Sequence, residues 1–278
     1  MKYTKDQLEI HQPKPLTDKR MIKEIDNVIN GGLDSDISDD VYKNFIKETE
    51  QYIFSSRLNN LTGHDAFLRK DIIVGCTQFI DNLYMQGSVQ TLLGDYKYHE
   101  RLGNTPVEFT KLKSSVPLIL AMPFPSIGDK LPNMETILNH CLNENIPVHI
   151  DGAWVTCNKN VFFDFNHPAI QSFGISLSKG LGLGWNRVGV RWHRNFDVKD
   201  SISLMNDFRM NLRAVVKVGL HFIRNFPTDY VWNEHGERHS KICKDFGLKQ
   251  TNSIHLAMSE QGPVGIGKLI NYLESHEH

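Results

Sequence analysis

The stretch IPVHIDGAWVT (146–156), followed by SLSKGLGLGWNRVGVRW (176–192), decides how this sequence reads. In the first, an apolar run ends in Asp151, the pattern of a buried strand that delivers a carboxylate at its carboxyl end. Side chains alternate with period two, so His149, Asp151 and Ala153 share a face if the strand continues. A carboxylate buried there needs a cationic partner. In the second stretch, Lys179 lies 28 residues after Asp151, beyond a predicted strand over 172–177, with Ser176 and Ser178 beside it. Gly180, Gly182 and Gly184 keep the chain beyond the lysine close and unobstructed, and Arg187 opens another predicted strand over 187–192.

Outward from this pair, short apolar runs alternate with helical segments. Strands are predicted over 71–74, 89–93, 116–122 and 147–151, with helices over 77–86 and 133–143 between them. Such alternation predicts an α/β fold: a three-layer αβα sandwich with a mostly parallel central sheet, whose ligands sit at the strands' carboxyl ends. Before it, Thr17 or Asp18 can cap a helix through Asn30, carrying Met21, Ile22, Ile25, Val28 and Ile29 and ended by Gly31 and Gly32. A second helix carries Val41, Tyr42, Phe45, Ile46, Tyr52 and Ile53. Its acidic lead LDSDISDD lacks the Gly and Glu of a calcium loop and reads as a helix cap. After Asp197, one helical pattern covers 202–226, PTDYVWNEHGERH breaks it, and helical segments return over 240–246 and 264–273. The expected organisation is a helical segment over 1–58, a large α/β domain over 59–198 and a small C-terminal domain over 199–278. The loop-like stretch 94–115 has a length that usually carries function.

Composition narrows the function classes. The 278 residues are 40% AVILMFWYC, ordinary for a globular chain, and 31 Lys+Arg against 32 Asp+Glu leave a net charge of −1. No global positive field exists to draw in nucleic acid. The longest strongly apolar run, 116–125, is too short for a membrane span and holds three prolines. The N-terminus shows no apolar core of a secretory signal, so the cytoplasm is the expected compartment. Cys76, Cys141, Cys157 and Cys243 stand far apart and read as reduced thiols. HGERH (235–239) lacks the Glu directly after the first His that a zinc-protease helix needs, and no metal is expected. The glycine run 180–184 does not continue as G-x-G-x-x-G, which rejects a dinucleotide fingerprint.

An aspartate, a lysine and an arginine from separate strand ends suit a phosphorylated aromatic aldehyde cofactor, and pyridoxal 5′-phosphate (PLP) fits that description. Its aldehyde needs a lysine, its ring nitrogen a carboxylate, and its phosphate hydroxyls, amides and a guanidinium. Each residue also has a plainer reading. Lys179 alone could be a solvated turn lysine, Asp151 a helix or turn cap, Arg187 a surface residue, Thr77 a helix cap, Tyr96 a core residue, and His149 a satisfied core histidine with at most a supporting role beside Asp151. Their order along the chain favours the cofactor reading over these.

The same residues resemble the fold-type I PLP-dependent enzymes, the aspartate-aminotransferase-like superfamily, over about residues 60 to 195. Asp151 in D-G-A-W resembles the family's D-x-A-Y, Ser176 to Lys179 its S-x-x-K, and Arg187 in N-R-V-G sits at the usual interval after the lysine. Gly75, Cys76 and Thr77, between a strand and a helix, resemble the loop that holds the cofactor phosphate. The resemblance implies that Lys179 forms the Schiff base and serves as general base, and that Asp151 keeps the pyridine nitrogen protonated. It further implies that Gly75, Cys76, Thr77, Ser176, Ser178 and Arg187 hold the phosphate while Tyr96 and Ala153 sandwich the ring. It also implies a homodimer with a shared active site, acting on an amino donor and a keto-acid acceptor; the charge balance and the short apolar runs leave no nucleic acid or membrane partner expected. The family's asparagine is missing from MPFPSIG (122–128), and Trp154 replaces its tyrosine. An aminotransferase is the leading expectation. The alternatives are a PLP-dependent lyase, decarboxylase or carbon–carbon bond-forming enzyme, and a non-catalytic relative with a regulatory or structural role. Arg101, Arg209, Arg213 and Arg224 are all open as partners of a substrate carboxylate, and spacing does not choose among them.

Overall fold

The computed structural model describes residues 8, 14, 16–31 and 40–276. Asp18 caps the first helix, α1 (Lys19–Asn30), by accepting the Met21 N–H at 2.7 Å, which satisfies one of the free donors of the first turn. Met21 is buried, while Ile22 and Ile29 are exposed. The second helix, α2 (Asp40–Phe54), buries Val41, Phe45, Tyr52 and Ile53. Of the acidic link LDSDISDD, and the calcium-loop and cap readings weighed for it, all but Asp40 lies outside the described residues.

The chain then alternates as expected: β1 (Asn60–Thr62), β2 (Arg69–Ile73), α3 (Gly75–Gln86), the short α4 (Tyr98–Arg101), β3 (Leu118–Ala121), α5 (Met134–Asn143), β4 (Val148–Asp151), β5 (Phe162–Asp164), β6 (Ile170–Ser176) and β7 (Gly189–His193). The central sheet has the order β2-β7-β6-β4-β3. β3, β4 and β6 pair in parallel, and β7 alone runs against its neighbours β2 and β6. β3 and β4 are buried along their whole length, as strands covered on both faces must be. Alternation divides their side chains between two cores. Ile119 joins Ile73, Phe79, Ile80 and Leu83 on the α3 face, while Leu118 and Leu120 join the larger core. That core runs from Leu16 through Phe173 and Trp192, stacked at 4.8 Å, to Ile270, so the terminal segments pack on the same apolar mass as the sheet.

Three expectations are corrected. Residues 89–93 form no strand. They make only isolated bridges, Gln90 to Leu118 of β3 and Leu92 to Val107 of the following loop, and Pro117, which has no N–H, cannot extend the ladder. The single helix expected over 202–226 is two, α6 (Ser201–Asp207) and α7 (Arg213–Asn225), parted by a turn in which Arg209 has φ 55°. The expected break at PTDYVWNEHGERH is instead the start of α8 (Tyr230–Phe246), because burial of Tyr230, Trp232, His235 and His239 outweighs the low helix propensity of Gly236. Beyond it, β8 (Lys249–Gln250), β9 (Leu256–Ser259) and β10 (Gly262–Gly265) form an antiparallel sheet. The helix expected over 264–273 is therefore α9 (Gly267–His276), preceded by a strand.

Both histidines of HGERH serve the fold. His235 Nε2 meets the buried Asp18 carboxylate at 2.9 Å, and His239 Nε2 meets the Leu256 carbonyl at 3.0 Å. All four cysteines are buried and unbridged. No helix among the described residues is long and apolar enough to cross a membrane.

Candidate active site

β2 ends on the α3 face of the sheet, and the chain turns into α3 through Gly75 at φ 69°, a conformation that favours glycine. A Cβ there would lie 3.2 Å from the Arg187 guanidinium and 3.4 Å from Ser176 Oγ. Gly75 therefore keeps open a small cradle between the start of a twelve-residue helix and three polar side chains. Arg187 donates to Thr77 Oγ1 at 2.5 Å, and Ser176 Oγ donates to Ser178 Oγ at 2.8 Å. Helix-start N–H groups, hydroxyls and a guanidinium in one cradle are the donors that a phosphate dianion requires.

Parallel pairing brings the remaining groups to the same end of the sheet. Asp151 closes β4, is 4% exposed and accepts the Ala153 N–H at 3.0 Å. Burial pushes its carboxyl up, against the Cys76 thiol, the Ala153 N–H and the Arg187 charge, which all favour the ionised form. Cys76, wholly buried beside it, has its thiol raised by the same burial and donates toward the Gly174 carbonyl at 3.3 Å. Lys179 follows β6, and its charge is felt at buried Cys157 and His255. Gly180 after it allows close contact, since a Cβ there would lie 2.4 Å from the Thr156 carbonyl oxygen.

Cys76, Thr77, Tyr96, Asp151, Ala153, Ser176, Ser178, Lys179 and Arg187 line a single cavity of about 400 Å³. Gly75 borders it through the cradle. His149 is placed elsewhere: its Nδ1 meets Ser172 Oγ at 2.7 Å and its ring lies edge-on to Phe79, so it does not touch Asp151.

The cavity also holds residues that the sequence reading did not single out. Asp95, 7% exposed, accepts the Tyr96 N–H at 2.6 Å and the Ala121 N–H at 3.1 Å. Burial raises its carboxyl to about 7, the two N–H donors oppose this, and the Asp151 charge adds to the rise. The available signal was a lone acid at the end of the apolar run 89–93, the same pattern that marked Asp151. Pro123, Pro125, Trp154, Leu256 and Pro263 form apolar walls, the last two from the β9–β10 hairpin. Lys97, Tyr98, Glu100 and Arg101 come from α4 and the residue before it.

No protein-family profile matches the chain, and no curated protein matches its sequence. Solved structures do match. The alanine aminotransferase from Pyrococcus furiosus shares 14% identity over 87% of this chain and 72% of its own, with a TM-score of 0.60. The tyrosine aminotransferase from Leishmania infantum shares 10% over 94% of this chain and 90% of its own, at 0.61. The PLP-bound C-S lyase from Staphylococcus hominis shares 13% over 95% and 78%, at 0.55. The chain has the fold of these fold-type I structures.

Proposed function

We propose that the protein is a PLP-dependent enzyme acting on an amino acid or amine, and that it transfers the amino group to a keto acid. The observation that carries this reading is the convergence of Lys179, Asp151, Arg187, Thr77, Ser176 and Ser178, from separate segments, in one cavity. The residues fit the cofactor. The cradle that a Cβ at Gly75 would encroach on suits the phosphate, and the buried Asp151 carboxylate suits a protonated ring nitrogen as its cationic partner. When bound, PLP supplies an electron sink that stabilises negative charge at the substrate's α-carbon.

The chain's own residues do the rest. Arg187, Thr77, Ser176, Ser178 and the Gly75–Cys76 backbone hold the phosphate, and Tyr96 and Ala153 bound the ring. Asp151 holds the proton on the ring nitrogen, and the Ala153 N–H fixes its orientation. Lys179 would hold the cofactor through its aldehyde, and its amine would take and return the proton at the substrate's α-carbon as general base and acid. The protein acts as a homodimer. Trp185, in the loop between Lys179 and Arg187 and 99% exposed in the single chain, supports a covering surface from a second copy. A lyase is the second reading, supported by the C-S lyase among the structures of the same fold.

The test is the visible spectrum of the purified protein with PLP, beside Lys179→Ala, then with amino donors. A yellow form that requires Lys179 supports the reading. Stoichiometric conversion to pyridoxamine phosphate by one donor, reversed by a keto acid, selects aminotransfer over elimination. A chain that takes up no PLP overturns the reading.

A further inference from the structure

We propose that Arg101 holds the carboxylate of the substrate and that the substrate's side chain is apolar. The proposal rests on the reading of the cavity as a PLP site and names what that site accepts.

Four arginines were open from the sequence, and their positions separate them. Arg224 is committed to Glu48, with contacts of 2.7 and 2.6 Å. Arg213 lies over the Tyr42 ring at 5.2 Å. Arg209 lines a different groove, with Lys43 and Asp207. Arg101 alone of the four lines the cavity. It closes α4, five residues beyond Tyr96, and its charge is felt at the Tyr96 hydroxyl together with those of Arg187 and Asp151. Its guanidinium forms no ion pair among the described residues, whereas Arg187 is turned to Thr77 beside Gly75. A guanidinium at the rim, free of a protein carboxylate, can take a substrate carboxylate through two parallel hydrogen bonds.

The remaining walls set the other half of the specificity. Pro123, Pro125, Trp154, Leu256 and Pro263 present no charge. Of the other charged lining groups, Asp151, Lys179 and Arg187 belong to the cofactor reading, Asp95 is buried with its carboxyl raised, and Lys97 and Glu100 stand exposed with opposite charges on the same short segment as Arg101. An α-amino acid with an aliphatic or aromatic side chain satisfies both the cation and the apolar walls. A dicarboxylic donor would have to set its second carboxylate against the uncharged walls.

The experiment uses the full chain loaded with PLP and measures calorimetric binding of 4-methylpentanoate and 3-phenylpropanoate, which lack the amino group and cannot react. Succinate and 4-methylpentanamide serve as controls. The expected result is at least tenfold tighter binding of the two apolar carboxylates than of succinate. Arg101→Ala should weaken them at least tenfold and leave the amide unchanged, and Arg101→Lys should restore part of the loss. Arg101 is exposed, so both variants should fold, which circular dichroism checks. Equal binding by the parent and Arg101→Ala, tighter succinate, or no binding of the carboxylates at millimolar concentration overturns the proposal. PLP uptake by absorbance separates the two layers. A parent chain that takes up no PLP overturns the cofactor reading and this proposal together, while normal uptake with no dependence on Arg101 overturns this proposal alone.

Discussion

The Asp95 carboxylate accepts the Ala121 N–H at 3.1 Å, and Ala121 is the in-register partner of Asp151 across β3 and β4, so two buried carboxyls stand on either side of one residue. Burial raises both carboxyls, and the Asp151 charge adds to the rise at Asp95.

The first consequence is a pH dependence of the cofactor-free protein. Asp95 is raised from 3.8 to about 7 by burial, so between these values the folded chain holds a proton that the unfolded chain has lost. Stability therefore falls as pH rises from about 4 to about 7 and levels off above it. Asp95→Asn removes this contribution. The decline in Tm of the cofactor-free protein between pH 5 and pH 8 should be shallower in the variant than in the parent. Parallel curves would remove the basis for the shifted acid.

Gly75→Ala places a Cβ 3.2 Å from Arg187 at a φ of 69°. We expect a stability cost of about 1–2 kcal/mol from the left-handed backbone, read as a lower Tm. PLP binding should also weaken by at least tenfold, read by absorbance titration. Unchanged PLP affinity would separate the cradle from the cofactor.

Asp151→Ala should retain PLP through Lys179 and the cradle but lose turnover by roughly 10²–10⁴-fold, the range associated with a positioned proton. Steady-state rates with the donor found by the spectral test measure it. Near-normal rates would remove Asp151 from the chemistry.

A structural prediction concerns Arg191, 1% exposed, which pairs with Asp71 at 2.5 Å and with Asp200, the capping residue of α6. Asp71→Ala leaves a buried guanidinium short of a partner and should cost about 3–5 kcal/mol in denaturant unfolding. Burial pushes Asp200 up, but the Arg191 hydrogen bond and charge overcome this and hold it at about 2. Its stabilisation is complete above pH 4 and is lost as pH falls toward 2. Acid unfolding should shift to higher pH in Asp71→Ala.

The chemistry-bearing residues were legible where a local pattern announced them. Asp151 stood at the end of an apolar run, Lys179 and Arg187 lay at fixed intervals beyond it, and Gly75 to Thr77 sat between a strand and a helix. Asp95 carried the same local mark as Asp151 but fell at the end of a segment that pairs by single bridges, so its burial depends on β3 and not on its own strand. The C-terminal helices were misjudged for a related reason. The Pro227–Asp229 turn does part α7 from α8, but Gly236, read as part of the same break, lies inside α8, where burial of Trp232, His235 and His239 holds the helix continuous.

The sequence by itself determined the α/β class, the mostly parallel sheet and the succession of polar groups at strand ends, because alternation and period are local properties of the chain. Tertiary structure alone decided which groups share the cavity. It placed Arg101, alone of the four arginines, in the cavity lining, brought Leu256 and Pro263 from the far end of the chain, set Asp95 beside Asp151, and turned His149 away toward Ser172. These contacts join residues distant in sequence, and they are fixed by how strands pair and helices bury their apolar faces, which no local spacing encodes.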